Sequence, residues 1–305
     1  MLLAAIAVFE GCGRDVASSI VPTSPTSPSS ALAEVAVDAV LVGAGDIARC
    51  GSAATAATAR LLDRLPGSVF TLGDNAYPSG GEQDFSMCYE PTWGRHKART
   101  RPAPGNHDYE SAGAAPYFNY FGANAGPSGL GYYRYRLGAW QIYSLNSNIA
   151  MGPRSLQAQW LQRELAANPS TCTLAYWHHP LFSSGPHGDN PSTQSLWRVL
   201  YQADVDVVVS AHDHLYERFA PQDPDGRLDL ARGIRQFTAG TGGAALYEAV
   251  RVHANSEARA SLNGVLRFEL KASSYTWALL SDTGASADAG NGRCHGSPDA
   301  PPDAI

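Results

Sequence analysis

The sequence contains no run of Lys or Arg, and its 22 basic residues are outnumbered by 28 acidic ones, for a formal net charge of −6. Phosphate backbones are held mainly by clustered Lys and Arg, so nucleic acid is not an expected partner. Charged residues are scarce at 16% against 44% apolar, which excludes a chain that stays unfolded for want of a core. No internal repeat is visible, so no array of repeated units is expected. The Gly-rich stretch "AGTGG" (Ala239–Gly243) lacks the Lys-Ser/Thr of a P-loop and no helical pattern follows it. It reads as a tight turn rather than a phosphate cradle.

What is present at the N-terminus reads as targeting. "MLLAAIAVFEGCG" is an apolar run too short to span a bilayer and suited to the h-region of a signal peptide, although no Lys or Arg precedes it. "FEGC" loosely resembles a bacterial lipobox, in which case Cys12 would carry a lipid and tether the chain to a membrane; plain secretion is the alternative. "SSIVPTSPTSPSSALA" (Ser18–Ala33) is a Ser/Pro/Thr-rich linker. The organisation expected is a leader and linker over 1–35, one catalytic domain over 36–297 and a flexible tail over 298–305, in a secreted, periplasmic or cell-surface protein. Apart from Cys12, the cysteines are Cys50, Cys88, Cys172 and Cys294, an even number that suits an oxidising compartment. Sequence leaves three pairings open; the one favoured here joins Cys50 to Cys88 and Cys172 to Cys294.

At 305 residues the chain is long enough for one large core or two modest ones. "VDAVLVGAGDI" (Val37–Ile47) is a nearly continuous apolar run closing in Gly-Asp, the pattern of a buried strand that ends in a loop. Ser52 is placed to cap an Ala-rich helix that Pro66-Gly67 stops, and "SVFTLGDNAY" (Ser68–Tyr77) repeats strand then Gly-Asp. "YYRYRLGAWQIYSLNSN" predicts two strands turning at Gly138-Ala139. The helix that follows is expected to put Leu156, Trp160, Leu161 and Leu165 on one face. "CTLAYWHHP" and "VDVVVSAHDHLYER" each read as a buried strand ending in histidine, with a helix over Ser195–Ala203 between them. Past Arg235 the pattern alternates as strands, so the fold expected is α+β, one layered domain with two packed sheets.

Asp46, Asp74, His178 and the pair His212 and His214 all fall at strand ends, and Asn106, His107 and Asp108 fall in a Gly-Pro loop. Ligands gather at the carboxyl ends of strands in such sheets. A strand sends residues i and i+2 to one side, so His212 and His214 can aim two imidazoles at one point while Asp213 faces away. Each residue taken alone has a bland reading as a cap, a turn former or a surface histidine. Five such groups in order along one chain favour a metal site.

The ordered blocks "GDI", "GDNAY", "GNHD", "HHP" and "AHDHLYER" resemble those of the calcineurin-like metallophosphoesterases, and more narrowly of the purple acid phosphatases. The resemblance covers roughly Val37 to Arg218. Where the general pattern has Asp-x-His, this chain has Asp46-Ile47-Ala48, and Tyr77 stands three residues after Asp74, where purple acid phosphatases use a tyrosinate. Tyr77 as a packing aromatic is the alternative. The resemblance implies a four-layer α/β/β/α sandwich of two mixed sheets. It is the single-domain form that is indicated, since the stretch before Val37 is too short for the additional β-domain of large plant members.

It further implies two metal ions, one held by Asp46, Tyr77 and His214, the other by Asn106, His178 and His212, with Asp74 bridging. Phenolate and carboxylate suit Fe(III) at the tyrosine site, with divalent Fe, Zn or Mn at the second. His178, two residues before Pro180, is the expected ligand; His179 would be packing if it points to the opposite face. The activity implied is hydrolysis of a small phosphate monoester by a metal-activated hydroxide, with His187 as general acid and His107 stabilising developing charge. Alternatives are a phosphodiesterase on the same ligands, an exposed and idle His187, or a non-catalytic surface protein that kept the fold. His96, His253 and His295 match no motif, and sequence is silent on oligomeric state.

Overall fold

The computed structural model describes residues 38–296. The expected leader with Cys12 and the expected tail lie outside the described residues. One sheet has the order β13–β12–β11–β1–β2–β3. Its strands are β1 (Ala39–Ala44), β2 (Ser68–Leu72), β3 (Thr100–Ala103), β11 (Gly264–Leu270), β12 (Ser274–Ser281) and β13 (Ser286–Arg293), with β1, β2 and β3 mutually parallel. The second sheet has the order β10–β8–β9–β7–β6–β5–β4. It is built from β4 (Tyr133–Leu137), β5 (Trp140–Ser144), β6 (Thr173–Tyr176), β7 (Val207–Ser210), β8 (Tyr216–Phe219), β9 (Arg235–Ala239) and β10 (Ser256–Ala260). In it β5, β6, β7 and β9 run parallel.

The helices are α1 (Ala53–Leu62), the short α2 (Glu82–Asp84), α3 (Ala115–Phe121), α4 (Leu156–Ala167) and α5 (Gln194–Gln202). Ser52 caps α1 by accepting from Thr55 N at 3.2 Å, and Ser155 caps α4 by accepting from Ala158 N at 3.1 Å. Strand alternation sends Leu41, Phe70, Leu174, Val207, Val209 and Phe268 into a core shared by the two sheets. The opposite faces of the same strands meet helices. Val42, Ala44 and Val69 pack with α1 and α3 through Ala59, Leu62, Tyr117 and Phe121. Tyr143, Ala175 and Val208 pack with α4 and α5 through Leu161, Leu196 and Trp197. These are the expected four layers, α/β/β/α. Among the described residues no helix is long and apolar enough to cross a membrane.

The expected helical face over α4 is displaced at its start. Leu156, the first residue after the cap, is 77% exposed, and Gln157 and Ala158 turn inward instead. Gln157 takes the buried place because its amide closes two bonds with the Asn146 backbone, at 2.7 and 2.9 Å. Both favoured disulfides are present, Cys50–Cys88 and Cys172–Cys294.

Candidate metal centre

Asp46 follows β1, Asp74 follows β2, Asn106 follows β3, His178 follows β6 and His212 follows β7, so the carboxyl edges of both sheets supply the cluster. The turns that deliver them are tight. Asp46 (φ 57°), Asp74 (φ 51°) and His212 (φ 69°) all have left-handed backbone. For a side chain other than Gly this costs on the order of 1–3 kcal/mol, and Asp and His are among the residues that tolerate it best. Each carboxylate is then fixed by a backbone amide from another loop: His212 N donates to Asp46 Oδ2 at 2.9 Å, and His107 N donates to Asp74 Oδ1 at 2.8 Å. Glycine makes the approach possible, since a Cβ at Gly105 would collide with the Asp74 carboxylate and one at Gly73 would lie 2.7 Å from His178 Nδ1.

All seven expected ligands come together. The Tyr77 hydroxyl lies 3.0 Å from Asp46 Oδ1, 3.1 Å from Asp74 Oδ2 and 3.2 Å from His214 Nε2. His178 Nε2 lies 2.9 Å from Asn106 Oδ1, 3.4 Å from Asp74 Oδ2 and 3.2 Å from His212 Nδ1. The two groups share a single oxygen, Asp74 Oδ2.

The outer ring nitrogens test whether this donor set fits cations. His178 Nδ1 is 2.7 Å from Leu72 O, and His214 Nδ1 is 2.6 Å from Ala245 O. A carbonyl only accepts, so both Nδ1 atoms carry the proton and both neutral rings point the Nε2 lone pair inward. His178 Nε2 therefore faces acceptor oxygens of Asn106 and Asp74, an arrangement that asks for a positive charge between them. Burial lowers the basicity of His178, but the Asp74 carboxylate more than reverses this and brings its pKa to about 9. Burial raises Asp74, and His178 and His107 together hold it below the usual carboxylate range. Burial, joined by the neighbouring imidazoles His178, His179 and His187, pushes His212 down to about 2. Burial and then the Asp46 and Asp74 charges keep the Tyr77 phenol protonated, well above its ordinary range. Donor chemistry, shared oxygen and outer hydrogen bonds all fit two cations.

Both further histidines border the cluster. The His107 ring lies 4.6 Å from that of Tyr77, with Nδ1 2.5 Å from Pro78 O, and the His187 ring lies 4.3 Å from that of His212. His179 does not turn to the opposite face. Its ring lies 4.4 Å from His212 and its Nδ1 2.8 Å from Ser147 Oγ, because β6 has ended at Tyr176 and strand alternation no longer applies. The HDH block likewise lies beyond β7. Bonds from Asp213 N to Ala211 O (2.8 Å) and from Leu215 N to Asp213 O (2.7 Å) make consecutive tight turns, which bring His212 and His214 to one side without a strand. His96, His253 and His295 lie apart from the cluster, beside Asp63, Asp189 and Asp206.

Tyr247 carries no sequence signal, and the role of Asp108, a member of the GNHD block, is not announced by that block. Tyr247 stacks on the His214 ring at 4.2 Å and 7°, and meets His187 edge-on at 5.6 Å. Asp108 is fully buried and accepts from Gly105 N at 2.8 Å and Asn75 Nδ2 at 2.9 Å, tying the Asn106 loop to the Asp74 loop. Burial, with the Asp74 charge, raises its carboxyl to about 7.

Residues 32–216, more than half of the chain, match the calcineurin-like phosphoesterase family, and the chain belongs to it. Within that family it is similar to purple acid phosphatases of Arabidopsis thaliana. It is 28% identical to purple acid phosphatase 21 over 206 residues (58% of this chain, 46% of the relative), and 25% identical to purple acid phosphatase 15 over 195 residues (52% and 37%). The chain thus spans less than half the length of these curated relatives. Among solved structures, purple acid phosphatase PPD1 from yellow lupin seeds aligns with a TM-score of 0.72 at 17% identity, over 84% of this chain and 54% of that one. GAP50, the anchor in the inner membrane complex of Plasmodium, aligns with a TM-score of 0.67 at 13% identity, over 84% and 89%. At these identities what is shared is the fold.

Proposed function

We propose that residues 36–297 form a catalytic domain that hydrolyses phosphate monoesters at a dinuclear metal centre. One cation would be held by Asp46, Tyr77 and His214 and the other by Asn106, His178 and His212, with Asp74 common to both. Fe(III) suits the phenolate side, and divalent Fe, Zn or Mn the other. Two cations so held would supply an ionised water at modest pH and neutralise the phosphoryl oxygens during in-line displacement. The observation that carries this reading is the facing of acceptor atoms across Asp74 Oδ2, with the outer nitrogens of His178 and His214 committed to carbonyls.

The remaining work falls to this chain's own side chains. His187 would give its proton to the ester oxygen as the phosphorus–oxygen bond breaks and a new bond to water oxygen forms, then regain a proton from solvent. His107, its backbone amide anchored on Asp74, would donate to a phosphoryl oxygen. The carbonyls of Leu72 and Ala245 keep the ligand imidazoles in the correct tautomer. Two disulfides fit an oxidising compartment, and a secreted or surface location belongs to the same reading. The fold likeness to an anchor protein makes a purely structural role the second reading. Elemental analysis of purified protein, with rates on an aryl phosphate monoester and the matching diester, decides between them. Two metals per chain and monoester preference are expected; protein that binds no transition metal after loading refutes the proposal.

A further inference from the structure

Asp213 lies between two expected ligands, His212 and His214, yet its side chain turns away from them and is fully buried. Its carboxylate faces the loop that carries His187. Oδ2 accepts from Ser183 Oγ at 2.5 Å, and Oδ1 accepts from the backbone N of His187 at 2.9 Å. The loop has been built around this group, since a Cβ at Gly185 would overlap the Asp213 carboxyl. Four residues further along the same block, buried Glu217 grips the loop again, accepting from Ser184 N at 2.8 Å and Ser184 Oγ at 2.6 Å. Pro186 and His187 at the loop tip are exposed, so these two carboxylates provide the fixed points from which the tip is held.

We infer that Asp213 is a positioning residue for His187, locking the imidazole at the edge of the metal cluster through the loop it clamps, while Glu217 fixes the base of that loop. The inference rests on the reading of His187 as general acid. Because Asp213 is covalently the neighbour of His212 and His214, the acid and the ligands are registered to one another through a single residue. The 4.3 Å separation of the His187 and His212 rings is the distance so fixed. An Asn at 213 has nearly the same shape but is uncharged and has only one acceptor oxygen, so the Ser183 hydroxyl and the His187 amide can no longer both donate to it.

The test is a double-mutant cycle on the metal-loaded protein, with His187→Ala, Asp213→Asn and the combination, read across esters from nitrophenyl to alkyl phosphates. His187→Ala should slow the alkyl esters most, because a basic alkoxide needs a proton as it leaves and a nitrophenolate does not. Asp213→Asn should reproduce that graded loss with metal content unchanged, and adding it to His187→Ala should change rates by no more than about twofold. In metal-free protein the His187 amide should exchange its hydrogen about tenfold faster or more in Asp213→Asn, the effect of replacing a charged acceptor by a neutral one. A uniform loss across substrates in Asp213→Asn, additivity with His187→Ala, or unchanged amide exchange overturns the positioning role. A flat response in His187→Ala overturns the general-acid reading instead. Should Asp213→Asn fail to fold, Ser183→Ala removes one donor, leaves the carboxylate in place and carries the same graded expectation.

Discussion

Opening the Cys50–Cys88 disulfide should cost about 4 kcal/mol of stability. The bond closes a loop of 38 residues, and the chain-entropy treatment of a cross-link of that length gives this value at 25 °C. The loop runs from four residues past Asp46 through α1, β2 and α2 to the helical turn at Phe85–Tyr89, so two of the expected ligands, Asp74 and Tyr77, lie inside it. Cys50→Ala/Cys88→Ala avoids a stray thiol, and Cys88 is buried at 4% exposure, so alanine introduces no unpaired polar group there. Urea unfolding of the metal-free protein, extrapolated to water, measures the difference. Against a total stability of about 5–15 kcal/mol the loss is large. The second bridge, Cys172–Cys294, closes 122 residues and by the same relation contributes about 5 kcal/mol. Closure entropy grows only with the logarithm of length, so the two paired substitutions should differ by about 1 kcal/mol. A loss below about 1 kcal/mol for Cys50→Ala/Cys88→Ala would refute the reasoning, because 2–5 kcal/mol is the ordinary range for a native bridge.

Tyr77→Phe should abolish the visible charge-transfer band of oxidised, iron-loaded protein, since it deletes the donor oxygen and keeps the ring; iron-loaded wild type without a band, or a variant that retains it, removes Tyr77 from the metal site. Asp206, at the opposite edge of the sheet, supplies a pH prediction. Burial raises its carboxyl from 3.8 to about 6, against the pull of His295 and with a small push from Asp204. The folded state therefore binds this proton more tightly than the unfolded chain, so the associated stability is full below pH 3.8 and is lost as pH rises through 6. Wild type should lose about 3 kcal/mol over that window relative to Asp206→Asn, as followed by urea unfolding at several pH values; parallel curves for the two proteins would show that Asp206 does not titrate there.

The strands that carry the site were legible because they are buried on both faces and so read as apolar runs, as in "VDAVLVGAGDI" and "VDVVV". β3, Thr100-Arg-Pro-Ala, was not. It is an edge strand, where Pro102 needs no ladder partner on its open side, and four residues with one Arg carry no period. Asn106 could thus be assigned from its block while the strand that delivers it went unseen. β13, Ser286–Arg293, is similarly hidden by its small and polar residues. Strand alternation would bring His212 and His214 to one side, but β7 stops at Ser210; the same outcome arises from two tight turns and a left-handed His212. His179 likewise lies past the end of β6, where alternation no longer sets which way a side chain points. Tyr247 lies beyond pattern altogether, and Asp108, although its block is legible, owes its role to tertiary contacts under the loop, with no periodicity to betray them.

The second disulfide has a mechanical meaning beyond its stability. Cys172 stands at the amino edge of β6, in one sheet, and Cys294 follows β13, in the other. The two sheets are therefore stitched covalently at the edge away from the metal cluster, like the spine of a book. At the fore-edge, Asp46, Asp74, Tyr77 and Asn106 belong to one cover and His178, His212 and His214 to the other. Each proposed trio of ligands takes members from both covers. Cation binding at these ligands would therefore be a clasp as well as a chemical centre, joining at the fore-edge two covers that already pack on a shared core.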